Sequence, residues 1–285
     1  MSINRRSFFG VLGVAGITLA IGKRTLASQK DKSDVEFSGI LYDSTRCVGC
    51  RTCEYECAVA HGLPEPPSEI EAVRKSCETC NTVVNTFQTT KGEAYNKRQC
   101  MHCNEPACDA ACLTQAMHKD KTGPVTWNGN KCMGCRYCMV SCPFDSPKFE
   151  YHSTNPKIQK CDMCFDKQIA GEKPVCVTNC PNEALIYGKR RDLIKEARRR
   201  IYEKPELYTD HIYGEHEVGG TSWLYLASVP FEELGMNTNL QQSSYPALTK
   251  GFLYSVPSVD LLLPPLLLGI YTATKNNKSK EEEND

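Results

Sequence analysis

Cysteine is the residue type that carries chemistry in this chain, at 18 of 285 residues. The densest stretch, CMGCRYCMVSCP at 132–143, spaces Cys132, Cys135, Cys138 and Cys142 as C-x-x-C-x-x-C-x-x-x-C-P. That is the bacterial ligand run for 4Fe–4S clusters. Three close thiolates wrap one cubane, and the fourth, carried off by the following helical turn, ligates a neighbouring one. The proline after Cys142 fixes φ and removes an amide donor, which suits a sharp exit from the site. Three related groups accompany it. Cys47, Cys50, Cys53 and Cys57 have the same 2-2-3 spacing, and Cys100, Cys103, Cys108 and Cys112 are spaced 2-4-3. Cys161, Cys164, Cys176 and Cys180 are spaced 2-11-3 and close on Pro181. Every group ends in C-x-x-x-C, so the chain carries an internal repeat.

Other cysteine chemistries fit less well. Zinc takes two separated pairs and has no use for a third cysteine at x-x spacing. Disulfides need partners at a suitable Cα separation, and cysteines this crowded lie too close to pair among themselves. A radical-chemistry cluster calls for C-x-x-x-C-x-x-C, which is not found. Each group has its full four cysteines, so no 3Fe–4S site is expected. The expectation is four 4Fe–4S clusters on sixteen cysteines. Spacing does not say which cysteine completes which cluster, because groups two and three and groups three and four are almost equally close in sequence. Cys77 and Cys80, in CETC, are left over and fit a local disulfide, a metal pair or free thiols on a surface loop, with no electron-transfer role. His102, beside Cys103, reads as a group behind the ligands or at the surface. No nucleophile–base constellation stands beside the thiols, so no substrate chemistry is read.

The elements that must position these groups are short. Leu63–Ser68 is a proline-rich loop and Lys121–Pro124 a turn; Val125–Trp127 and Ala184–Gly188 read as strands flanking cysteine groups. Asp192–Glu203 has Leu193, Ile194, Ala197 and Ile201 at helical spacing, with Arg198, Arg199 and Arg200 on a solvated face. After Pro205 no cysteine follows; a glycine-rich loop, IYGEHEVGG, leads into a strand at Trp223–Leu226. That tail has too little apolar content to be a domain and is expected to wrap the cluster body or a partner. The fold class is α+β, with metal ligation supplying folding energy that a modest apolar content does not.

The two ends read as targeting and anchoring. Arg5 and Arg6 precede an apolar run from Phe8 to Ile21 and a small-x-small site ending at Ala27, an export signal of the twin-arginine type. Such export carries folded proteins, so the thiolates can arrive already occupied by iron. The formal net charge is zero, but residues 1–27 hold four basic residues and no acid, which leaves 30 basic against 34 acidic residues beyond them. No basic stripe with interleaved aromatics is present, and nucleic acid is not an expected partner. Phe252–Ala273 is apolar over about a membrane thickness. Pro257, Asp260, Pro264 and Pro265 interrupt it, which implies a kinked or partly interfacial segment. Lys275, Lys278 and Lys280 then put the C-terminus in the cytoplasm and the cluster body outside.

With these residues in hand the chain resembles the four-cluster ferredoxin-type electron-transfer subunits of membrane oxidoreductases, in particular those of periplasm-facing NiFe-hydrogenase-2 complexes. The likeness rests on the twin arginines, LYDSTRCVGC at 41–50, QCMHC at 99–103, GCRYCMVSCP at 134–143, IYGEHEVGG and the apolar C-terminus. The cysteine motifs are shared with subunits of molybdopterin enzymes; the tail is the more specific mark. CETC and the interrupted anchor depart from the pattern. The resemblance implies two ferredoxin-like two-cluster modules, one nested in the other. Cys47, Cys50, Cys53 and Cys180 would hold one cluster and Cys161, Cys164, Cys176 and Cys57 the next. Cys100, Cys103, Cys108 and Cys142 would hold a third, and Cys132, Cys135, Cys138 and Cys112 the fourth. The implied layout is a signal at 1–27 and a cluster domain at 28–190 with an inserted module at 97–150. A packing tail at 191–250, an anchor at 251–274 and a cytoplasmic end at 275–285 follow. The implied role is an electron relay from a catalytic subunit, a NiFe-hydrogenase or else a molybdopterin oxidoreductase, to a membrane quinone-reactive subunit. A structural or assembly iron–sulfur protein is the contrasting class.

Overall fold

The computed structural model describes residues 36–69 and 73–281; the export signal expected over 1–27 lies outside them. In chain order the body holds β1 (Ser38–Asp43), α1 (Thr52–His61), β2 (Thr82–Thr89) and β3 (Gly92–Gln99). Then come α2 (Ala107–Ala110), β4 (Met117–Lys119), β5 (Val125–Trp127), α3 (Tyr137–Val140), β6 (Lys148–Phe149) and β7 (Ile158–Gln159). It closes with α4 (Phe165–Ile169), α5 (Val175–Thr178), β8 (Leu185–Lys189), α6 (Arg190–Glu203) and β9 (Trp223–Leu226). The strand expected at Val125–Trp127 is β5, and the one expected at Ala184–Gly188 is β8, one residue later.

β1 is the centre of a three-stranded sheet ordered β8-β1-β9. β8 runs antiparallel to it and β9 parallel, with Tyr42 between Leu185 and Tyr225. Ile40, Leu41 and Tyr42 are consecutive and all buried, the mark of a strand covered on both faces. Alternation along the strand divides their work. Ile40 and Tyr42 join Trp223, Tyr225 and Met163 in one core, against which Cys47, Cys53, Cys103 and Cys180 pack. Leu41 turns the other way, to Leu224, Leu226 and the Leu193 and Ala197 side chains of α6. One face of the sheet is therefore sealed by a helix, and the other is the floor of the cysteine region. The cysteine-free segment after Pro205 thus supplies a fully buried edge strand of this sheet. Its composition looks polar because glycine, glutamate and histidine of the preceding loop dilute a fully buried WLYL.

The arginine face of α6 is solvated only in part. Arg198 pairs with Glu215, and Arg199 with Glu196 and Glu203, but Arg200 turns inward to lie 2.7 Å from the Asp43 carboxylate. Asp43 is almost wholly buried at the end of β1 and also accepts from the Tyr208 hydroxyl at 2.8 Å. A buried carboxylate needs a cation to offset its lost hydration. Helical spacing alone cannot reveal that demand, because it comes from a strand 157 residues earlier.

A smaller core of Met117, Val125 and Ile158 gathers around Cys108 and Cys138, with the β4–β5 hairpin as its scaffold. The β2–β3 hairpin is fastened to α1 through Glu54, whose buried carboxylate accepts from Arg51, from Arg74 at 2.5 Å and from the Val84 amide. Just before β2, Cys77 and Cys80 are joined in a disulfide.

The C-terminal helix, α7 (Tyr245–Glu281), forms with residues from 249 onward a separate unit. It runs through Pro257, Pro264 and Pro265 as one helix, rather than breaking where the prolines stand. Its Tyr245–Thr272 part is long and apolar enough to cross a membrane.

Two outcomes follow from this packing. Leu224→Ala should destabilise the body by about 2–5 kcal/mol, the usual result of hollowing a buried strand against a helix, seen as a lower denaturant midpoint for loss of visible absorbance. Replacing Cys77 and Cys80 together by serine should leave iron content unchanged by metal analysis, since neither sulfur lies in the four groups.

Candidate metal centres

Groups one and three fold alike. Gly49 and Gly134 take φ of +67° and +72°, and Arg51 and Arg136 follow at +59° and +60°, immediately before α1 and α3. Alternating hands of this kind turn successive amides inward and make a hollow suited to anions. Gly49 is required there twice over: besides its φ, an added Cβ would lie 2.2 Å from Cε1 of Tyr95.

Groups two and four share a second design. The residue before the second cysteine is left-handed (His102 at +49°, Met163 at +59°), and the third cysteine sits in a four-residue helix preceded by a proline, Pro106 or Pro174. Groups two, three and four then close on one turn. Gln115, Asp145 and Glu183, each three residues after the last cysteine, have positive φ. Their amides donate to the carbonyls of Cys112, Cys142 and Cys180 at 3.1, 3.2 and 3.2 Å. Group one differs because α1 continues past Cys57 to His61.

Each gathering of thiols joins three cysteines of one group to the last cysteine of another. Cys180 comes to Cys47, and a single hollow is lined by Cys47, Cys50, Cys53 and Cys180 with Tyr42 and Lys97. Cys57 joins Cys161, Cys164 and Cys176. Cys142 joins Cys100, Cys103 and Cys108, and Cys112 joins Cys132, Cys135 and Cys138. Links between these gatherings run in one order: Cys53 faces Cys176, Cys161 faces Cys100, and Cys108 faces Cys138. The two exposed cysteines, Cys50 and Cys135, belong to the two ends of that order.

Burial pushes most of these thiols up, and their neighbours add to it. Cys53 and Cys176 rise to about 12 and Cys138 to about 11, in each case through desolvation first and adjacent cysteines among the further causes. Bare thiols so placed keep their protons near neutrality; bound iron displaces those protons and supplies the positive charge that four crowded thiolates need. The donor set fits a thiolate-ligated cluster in a further respect. Backbone amides donate to sulfur at Met163 to Cys161, Met117 to Cys112 and Ala184 to Cys180, each at 3.3 Å.

Several residues around the thiols escape sequence reasoning. Lys97 is 2% exposed, with its Nζ donating to Thr82 Oγ1 and to Gln99 Oε1 (3.1 Å) and standing 4.9 Å above the Trp223 ring. Burial alone would push its pKa down; the charges of Cys176, Cys53, Cys161 and Cys57 outweigh that and hold it up. Its strand reads GEAYNKRQ, and no signal in that polar run marks a buried cation. His102 is fully buried, and its Nδ1 accepts from the Val125 amide at 2.8 Å, which makes it a support for β5. His61, at the end of α1, bonds Asp162 through Nε2 at 3.0 Å and the Cys57 carbonyl through Nδ1 at 2.8 Å, tying group one to group four.

Comparison with known proteins agrees with this geometry. The 4Fe-4S dicluster domain family matches residues 92–190. The chain is 42% identical to a protein of Nitratidesulfovibrio vulgaris (strain Hildenborough) across 97% of its own length and 78% of the other. It is 32% identical to the hydrogenase-2 operon protein HybA of Escherichia coli O157:H7, covering 99% of this chain and 98% of HybA. To the B subunit of the anaerobic dimethyl sulfoxide reductase of Escherichia coli K12 it is 35% identical, over 55% of this chain and 76% of that subunit. Sulfur-rich hollows, inward amides and end-to-end likeness lead to one conclusion: this protein belongs to the HybA family of iron–sulfur subunits and is an electron-transfer subunit of an oxidoreductase.

Proposed function

We propose that the chain relays electrons along a row of four 4Fe–4S clusters between a periplasmic catalytic subunit and a membrane quinone-reactive subunit. The observation that supports this reading is that the last cysteine of each group lies near the first three of another. The ligand sets would be Cys47, Cys50, Cys53 and Cys180, then Cys161, Cys164, Cys176 and Cys57. The third would be Cys100, Cys103, Cys108 and Cys142, and the fourth Cys132, Cys135, Cys138 and Cys112. A bound 4Fe–4S cluster supplies a one-electron redox change at each set. The protein's own task is to hold the sulfurs, exclude water and direct amides at the charge. Groups one and four, flanked by β1 and β8, would form one two-cluster module, and groups two and three, over 97–150, the module inserted in it. Support comes from the shared design of one with three and of two with four, since each module would then contain one group of each kind.

The twin arginines at Arg5 and Arg6 support export in the folded state. The apolar helix with lysines beyond it supports an anchor over 251–274, a cytoplasmic end at 275–285 and a body on the periplasmic side. The near full-length likeness to HybA, named for the hydrogenase-2 operon, favours a NiFe-hydrogenase as catalytic partner. A second reading keeps the relay but gives it a molybdopterin partner, and the likeness to the dimethyl sulfoxide reductase subunit is what favours it.

Metal analysis of the complex that copurifies from detergent-solubilised membranes separates the two partners. Nickel with abundant iron is expected; molybdenum or tungsten would move the substrate to the second reading. Within the complex, Cys138→Ser should lose or convert one cluster and stop quinone reduction, while the catalytic subunit keeps its dye-linked activity. Unimpaired quinone reduction by that variant would sink the relay.

A further inference from the structure

Holding iron does not account for the buried cations among the thiols. Lys160 is buried and donates to the carbonyls of Val125 and Cys161, the latter at 2.9 Å. Lys119, half-buried, donates to the carbonyls of His102 at 3.1 Å and Gly123. Both ammonium groups are capped by backbone carbonyl oxygens, which offset part of their charge. Lys97 is different. Its acceptors are a threonine hydroxyl and a glutamine amide, and no carboxylate forms an ion pair with it among the described residues. Lys97 lines the hollow of Cys47, Cys50, Cys53 and Cys180, and the Trp223 ring beneath its ammonium packs in the same core as Cys176 of the next set.

A lysine at such a place is not needed for packing. The neighbouring indole of Trp223 and the Thr82 side chain would suit a neutral side chain of the same length. A full charge in a water-poor interior acts over several ångströms with little screening, so its effect reaches whatever redox group the adjacent sulfurs hold. Reduction adds one negative charge, and a fixed cation favours the state with more of it. We propose that Lys97 is a positioning charge shared by the two clusters of groups one and four, raising the reduction potential of both. The inference rests on the ligand sets proposed above. The step concerned is one electron entering one cluster and leaving its neighbour; no bond is made or broken and no proton moves. A charge beside both sites lifts them together and so raises both against clusters farther away while leaving the gap between the two little altered.

The test uses the whole membrane complex and redox titration followed by electron paramagnetic resonance. Lys97→Met removes the charge and keeps the side-chain length. Gln99→Glu leaves the lysine in place but sets a carboxylate on its ammonium, so the result does not hang on one variant folding. In both, two of four midpoint potentials should fall by at least 59 mV, a tenfold change in a one-electron equilibrium, with the other two unmoved. Lys97→Arg should restore them. Four clusters with unaltered potentials in both variants would overturn the role of Lys97. Fewer than four clusters in the unaltered complex would instead overturn the ligand assignment beneath it, and the inference with it. A uniform drift of all four potentials would point to general loosening and would also count against a local charge.

Discussion

The rest of the structure answers to one electrostatic constraint: sulfur charge has to be carried in an interior that water does not reach. A thiolate taken out of water loses hydration, and several together repel one another. The chain meets that cost by more than one means. Backbone amides of Met117, Met163 and Ala184 donate to the sulfurs of Cys112, Cys161 and Cys180. Buried Lys97 and Lys160 place ammonium groups in the same interior. The apolar sheet face with Ile40, Tyr42 and Trp223 makes the site dry, which strengthens every one of these interactions.

The same constraint explains why so small a body holds so many sulfurs. Four thiol gatherings occupy space that would otherwise be filled by aliphatic side chains, and two modest cores suffice around them. Repetition keeps the design simple. Two loop types, one opening with a glycine turn and one with a proline-headed helix, recur and combine. Only α1 departs from the scheme, and its extra turn brings His61 to Asp162, a tie between the start and the end of the cysteine region.

Much of this was legible from residue spacing, because ligation is local: three thiols within seven residues declare themselves. The strands beside the groups were legible too, since Val125–Trp127 and the segment from Ala184 are short β-branched or aliphatic runs between turn signals. What escaped notice depends on distant partners. Trp223–Leu226 was legible as a strand, but not its parallel pairing with β1, whose partner residues lie far back in the chain. Arg200 reads as surface until Asp43 is placed beneath it. Lys97 lies in a polar hairpin strand, and only the folding of that hairpin over groups one and four reveals what it faces. Which last cysteine lies near which group was likewise beyond spacing, because it depends on how distant segments pack.

The parallel pairing of β9 with β1 has a bearing on how the protein comes into being. β1 comes before every cysteine in the sequence, and both of its neighbours come after the last of them. Contacts so remote in sequence form late. Until residue 226 emerges, the floor of the cysteine region is incomplete and its sulfurs stand open to water and oxidants. Enclosing the thiols thus draws on segments from both sides of the whole cysteine region, and a chain interrupted before β9 would leave the apolar floor one strand short.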